Sequence, residues 1–148
     1  TSAGATRTAL QMIDLNDDMR QALETAMADG LPVIVATSGA AGMPDLAYKG
    51  SVMVWDKDHL AWWERAHGTT LRNLQENPQV SLLYRNPAKR QAWKYFGAVE
   101  LLSDGPVREG IMARTPQVEL DRDPERKGIA VLIRVDKVMQ AGQLFQER

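Results

Sequence analysis

Arg72-Asn73-Leu74-Gln75-Glu76-Asn77-Pro78-Gln79-Val80-Ser81-Leu82-Leu83 is the stretch on which the reading of this chain turns. Its first part has helical spacing, with Leu71 and Leu74 on one face, and Pro78 cannot continue a helix. The apolar run after the proline reads as a strand over Gln79–Tyr84. A helix over 69–76 therefore hands the chain straight to a strand.

Upstream of that point the period is 2, in short apolar runs: Leu31–Ser38, Leu46–Trp55 and His59–Glu64. Gly39 to Pro44 and Asp56-Lys57-Asp58 separate them at lengths suited to hairpins, which predicts an antiparallel meander. Before these, Asn16-Asp17-Asp18 supplies a cap and first-turn acids to a helix over 16–29. Met19, Ala22, Leu23, Ala26 and Met27 form its buried face, and Gly30 and Pro32 stop it. Residues 1–14 are small and polar and are expected to be a flexible N-terminal arm, with one domain over 15–148. Downstream, the polar loop Arg85–Lys89 leads into a long strand over Gln91–Leu102. Pro106 opens a helix to Ala113, and Thr115–Lys127 is acidic and irregular before a last strand over Ile129–Val138. Six strands without β-α-β alternation predict a mainly β fold, an antiparallel barrel with peripheral helices, because closure removes exposed edges.

Composition narrows the chemistry. The 148 residues carry a net charge of −1, with 44% hydrophobic and 25% charged residues, enough for a core without staples. No cysteine is present, which excludes disulfides, thiolate zinc sites and iron–sulfur clusters. His59 and His67, the two histidines, lie in no spaced ligand pattern, so no metal is expected. A near-neutral balance argues against a nucleic-acid partner, and no apolar run is long enough for a membrane span. The N-terminus lacks the pattern of a secretory signal, and the expected location is cytoplasmic; because the chain starts at Thr1, a lost leader stays open. Ser38, Ser51 and Ser103 sit in no nucleophile elbow, and Gly39 to Gly42 has no phosphate-loop spacing. Glu119, Asp121, Asp123 and Glu125, interleaved with Arg122 and Arg126, read as a solvated loop.

One segment invites an anion. In Trp62-Trp63-Glu64-Arg65-Ala66-His67-Gly68-Thr69-Thr70-Leu71-Arg72 a strand end feeds a helix start. Thr69 or Thr70 would cap the helix, and its first N–H groups, the hydroxyls, Arg65 and Arg72 together suit a phosphate. A capped helix with surface arginines is the alternative.

The helix-to-strand stretch resembles the hallmark segment of the FMN-binding split-barrel family that includes pyridoxamine 5′-phosphate oxidase. Gly42-Met43-Pro44 before a strand and His59-Leu60-Ala61-Trp62-Trp63 six residues before Thr69 fit the same pattern. The likeness runs from about Leu31 to Gly105, and Arg134-Val135-Asp136-Lys137-Val138 resembles the family's closing strand. The implied fold is a six-stranded antiparallel split β-barrel, and the implied protein an FMN-dependent oxidoreductase acting on a small molecule. The implied assembly is a homodimer with two sites between subunits.

In relatives a Lys three residues before the segment's Asn helps to hold the FMN phosphate; that position is Thr70 here. Thr69 and Thr70 carry over as hydroxyl donors, leaving the charge to Arg65, Arg72 or Lys49. The departure leaves room for a deazaflavin- or haem-binding barrel, or for a flavin-binding protein without turnover. The strand of Lys49, Gly50, Ser51 and Val52 corresponds to the one that runs beside the flavin ring. Gly50 would allow a flat ligand to approach or would mark a bend, and Lys49 would face phosphate or solvent. Arg90-Gln91 resembles a pair that reaches the partner's flavin, so Gln91 and Trp93 join the candidate set. The same basic hairpin could instead stack on nucleic acid or be merely solvated. Trp63 is a candidate flavin contact, although at least one of Trp62 and Trp63 must be core because strand neighbours point oppositely. No catalytic acid or base is assigned. The namesake activity is not expected, because it uses a C-terminal Arg-x-His element and no His follows His67.

Overall fold

The computed structural model describes residues 11–148. Helix α1 (Asp17–Thr25) is followed by strands β1 (Val33–Ser38), β2 (Pro44–Lys49), β3 (Met53–Asp56) and β4 (His59–Glu64). Then come α2 (Thr69–Glu76), β5 (Gln79–Asn86), β6 (Gln91–Leu102), α3 (Pro106–Arg114), the single turn α4 (Gln117–Leu120), β7 (Ile129–Gln140) and β8 (Gln143–Glu147). The fold is mainly β, an antiparallel sheet with flanking helices. The strands lie in the order β2-β1-β5-β6-β7-β4-β3, with β8 paired to β7.

Two sequence expectations change. There are eight strands among the described residues, not six, since the expected Leu46–Trp55 strand divides and β8 is added. The three-strand meander is replaced by two hairpins, β1–β2 and β3–β4, at opposite ends of the strand order. The sheet is split, as the family resemblance implies: among the described residues no ladder joins β2 to β3. The cause is local. At Ser51 the side chain takes over the backbone of β4: its Oγ accepts from Trp63 N at 3.0 Å and donates to Trp63 O at 3.3 Å. The chain thus leaves one hairpin and enters the other within Gly50-Ser51-Val52.

Residues 1–10 of the expected arm lie outside the described residues. Of its last four, Ile13 is buried, and Asp14 exchanges hydrogen bonds with Gln146 of β8. Asn16 caps α1 as expected, its Oδ1 accepting from Met19 N at 3.0 Å.

The sheet buries both faces of its middle. Leu60 and Trp62 of β4 point into the main core, with Met19 and Leu23 of α1, Val54, Leu82, Tyr84, Tyr95, Val131 and Ile133. Ala61 and Trp63 point to the other side, where Met53, Ala130, Ile111 of α3 and Leu120 of α4 form a second core. Both tryptophans of the pair are therefore core residues, on opposite faces, as a period of 2 requires. Helices α3 and α4 lie over the second core, and α4 brings its residues beside the end of β4.

Candidate functional site

The β2–β3 connection, the end of β4 and α4 enclose a cavity of about 270 Å³. Of the residues predicted from sequence, Lys49, Gly50, Ser51, Trp63 and Arg65 line it, together with Met27, Tyr48, Glu64, Glu119 and Arg122. Five candidates thus meet in one place.

Two of the three cations there, Lys49 and Arg65, are already engaged. Lys49 Nζ lies 2.9 Å from Glu64 Oε1 and 3.2 Å from Oε2. Glu64 is buried and also accepts from Trp62 Nε1 at 3.1 Å. A buried carboxylate requires such partners. Arg65 Nε donates to Glu119 Oε2 at 3.1 Å, and Glu119 is buried as well. Arg122 lines the cavity with no ion pair recorded among the described residues.

The reading of the acidic stretch as a solvated loop is corrected at two of its four residues. Glu119 and Asp123, four apart around the turn that contains Leu120, point inward, whereas Asp121 and Glu125 are exposed. Asp123 accepts from Trp63 Nε1 at 2.9 Å, from Lys127 N at 2.9 Å and from Gly128 N at 2.8 Å. Burial alone would raise its pKa. The two backbone N–H groups, the indole and the Arg126 charge outweigh that and hold the carboxyl below the usual range. The Arg108 guanidinium lies 4.8 Å over the Trp63 ring and donates to the carbonyls of Arg126 and Gly128. Trp63 is thus clamped at its edge and on its face, and serves as a wall of the cavity.

Gly50 does admit a close approach, though by the chain itself. A Cβ there would collide with Met27 Cε and come within 2.6 Å of Glu119 Oε1. Val52, by contrast, belongs to the main core and does not line the cavity.

Three residues on from the cavity's Arg65, Gly68 caps α2 with no side-chain bond and no acidic residue in the first turn. Its first N–H groups consequently lack intrahelical acceptors. Arg72 Nη2 donates to Thr69 Oγ1 at 3.2 Å on the exposed side of this turn. Thr70, expected as a second hydroxyl donor, is buried beside Leu71 and Leu74. His67 Nε2 lies 3.2 Å from Lys127 O, which ties this approach to the loop after α4.

Gln91 and Trp93 lie apart from the cavity, at the other end of the molecule's hairpin β5–β6. Gln91 pairs with Asn86 in that ladder. Trp93 is buried, stacks on Tyr84 at 5.8 Å and donates from Nε1 to Gln140 Oε1 at 3.0 Å. Its partners are core and sheet, and it offers no free ring face to a ligand in its own chain's cavity.

Asp56, Asp58 and His59 gather at the β3–β4 turn with ligand atoms within 4.8 Å of one another. Both carboxylates are directed at His59 Nδ1, at 2.9 and 2.8 Å, and Arg148 reaches Asp58 at 3.3 Å. No helix among the described residues is long and apolar enough to cross a membrane.

Glu64, Glu119, Asp123 and Arg108 were not among the sequence-derived candidates. For Glu64 a signal existed: it shares the period-2 face of Leu60 and Trp62. For Glu119 and Asp123 the interleaved arginines masked it.

The family model for pyridoxamine 5′-phosphate oxidase matches residues 19–137, and the chain belongs to that family. Among solved structures, HupZ of Group A Streptococcus is 17% identical and superposes with a TM-score of 0.69, covering 88% of this chain and 96% of its own. A candidate pyridoxamine 5′-phosphate oxidase from Lactobacillus delbrueckii is 21% identical, with a TM-score of 0.65 over 85% and 93% of the two chains. The fold also serves different cofactors: an FMN-binding protein from Syntrophomonas wolfei (12% identity, TM-score 0.59, 84% and 90% covered), an F420 reductase (18%, 0.54, 74% and 89%) and a heme binding protein from Mycobacterium smegmatis (14%, 0.56, 82% and 53%) share it. No curated protein matches the sequence.

Proposed function

We propose that the protein is an FMN-binding oxidoreductase that acts on a small molecule, as a homodimer, in the cytoplasm, with neither nucleic acid nor membrane as a partner. The observation that carries the reading is the start of α2. A helix N-terminus with no side-chain cap and no first-turn acid, with Arg72 held on Thr69, adjoins a charged cavity in a chain of this family. The first N–H groups of α2, the Thr69 hydroxyl and the Arg72 guanidinium would hold the phosphate. Bound flavin supplies the redox chemistry by exchanging hydride or electrons, and the protein contributes orientation and electrostatics.

The dimer is supported by the outer face of β2. Leu46 and Tyr48 on this edge strand are 70% and 72% exposed and lie opposite Ala36 and Ile34 of β1. With Met43 they form an apolar strip of the kind that marks an interface, on an edge that would otherwise invite aggregation. A stable monomer in sedimentation at micromolar concentration would remove this part of the reading.

Fluorescence titration tests the cofactor. FMN should bind more tightly than riboflavin, and Arg72→Ala should erase most of that preference. Loss of a charge-assisted hydrogen bond costs roughly 1.5–3 kcal/mol, about tenfold to a hundredfold in Kd. Equal affinity of the wild type for the two flavins would refute the site. Thr70 at the family's Lys position favours a second reading, a deazaflavin or haem occupant, which the absorption spectrum of the bound cofactor would reveal.

A further inference from the structure

We propose that Glu119 is a built-in competitor for anions in the cavity beside the start of α2: its carboxylate occupies the place, between Gly50 and Arg65, that an anionic group entering the cavity would take. Its displacement sets the affinity of the site. The proposal rests on the flavin reading only for the identity of the molecule that bears the phosphate.

Three observations converge. The space left by the missing side chain of Gly50 is filled by Glu119 Oε1 and the tip of Met27. That carboxylate makes its ion pair with Arg65, the one cation of the β4–α2 approach that faces the cavity. The residue is also the more movable of the cavity's two acids. Glu64 stands on β4, between β3 and β7, and is held by both Trp62 Nε1 and Lys49 Nζ. Among the described residues the Glu119 carboxylate is held by Arg65 Nε alone, on a four-residue turn, and the Arg65 side chain is 34% exposed.

The electrostatics follow from counting charges. With Glu119 in place, Lys49 and Arg65 are each neutralised, and Arg122 is the remaining cation of the lining. When the carboxylate swings out, Arg65 and Arg122 both become available to an incoming anion, and a like charge leaves its path. A neutral ligand gains nothing from this exchange. Glu119 therefore discriminates by charge.

The test compares wild type, Glu119→Gln and, as a control on the same loop, Glu125→Gln. Glu125 is exposed and, among the described residues, pairs only with exposed Lys127 at 2.8 Å. Inorganic phosphate is titrated by the fluorescence of the tryptophans, of which Trp63 walls the cavity. Glu119→Gln should bind phosphate at least tenfold more tightly than wild type, while Glu125→Gln should match wild type. Unchanged or weaker binding by Glu119→Gln, or no phosphate binding by any of the three, would overturn the proposal. Should Glu119→Gln fail to melt cooperatively, Glu119→Asp draws the charge back by one methylene, and a several-fold gain is expected; unchanged affinity overturns the proposal equally. FMN and riboflavin titrated on the same proteins separate the two ideas. Equal flavin affinities with a phosphate response to Glu119→Gln would refute the flavin reading and leave this one standing.

Discussion

Removing the positive end of the Lys49–Glu64 pair should be far more harmful than removing the pair. Glu64 is 2% exposed and Lys49 14%, with 2.9 Å between Nζ and Oε1, so neither charge is well served by water. In Lys49→Met the apolar stem is kept and only the ammonium is lost, leaving a buried carboxylate with Trp62 Nε1 as its remaining partner. Breaking a buried pair in this way costs about 3–5 kcal/mol, and the surviving indole bond places this case near 3. Glu64→Gln should cost only about 1 kcal/mol, because the amide oxygen still accepts and the flexible Lys49 stem, once released from the pair, can carry its ammonium out to water. In Lys49→Met/Glu64→Gln no buried charge remains, and about 2 kcal/mol should be recovered relative to Lys49→Met. Urea unfolding followed by tryptophan fluorescence measures all four proteins. With a slope of about 1–3 kcal/mol per molar, a loss of 3 kcal/mol moves the midpoint by roughly 1–3 M. A cost below about 1 kcal/mol for Lys49→Met, or no recovery in the double variant, would show that water serves Glu64 and that Lys49 is free for a ligand.

Gly97→Ala should destabilise by about 2–3 kcal/mol in a thermal melt, since its Cβ would collide with the Arg134 carbonyl oxygen at the β6–β7 bulge and the obstacle is backbone; an unchanged Tm would contradict this. Asp123→Asn should be less stable than wild type near neutral pH, because one amide cannot accept from Trp63, Lys127 and Gly128 as the carboxylate does. As the folded-state pKa of Asp123 is depressed, its stabilisation is complete above the ordinary value of 3.8 and is lost as pH falls below it. The gap between the two proteins should therefore narrow in acid, and a constant gap from pH 6 to pH 2 would refute the assignment.

The sequence by itself determined the elements around its own helix-to-strand stretch. Pro78 separates α2 from β5, Asn16 caps α1, and the period of 2 carries β6 from Gln91 to Leu102, all of which are set by neighbours a few residues away. It also placed Lys49, Gly50, Ser51, Trp63 and Arg65 in one set of candidates, which the fold brings into one cavity. What it could not contain was the long-range pairing. Leu46–Trp55 reads as one apolar run, and only the bonds of Ser51 to Trp63 divide it between two hairpins. Alternating charges from Glu119 to Arg126 look solvated along the chain. Their fate is decided by α4 packing on the second core, which sends Glu119 to Arg65 and Asp123 to Trp63, residues 54 and 60 positions away. Charge type is local information, whereas burial and partnership of a charge are made by tertiary contacts, and these decide whether a lysine or an arginine is free to meet a ligand.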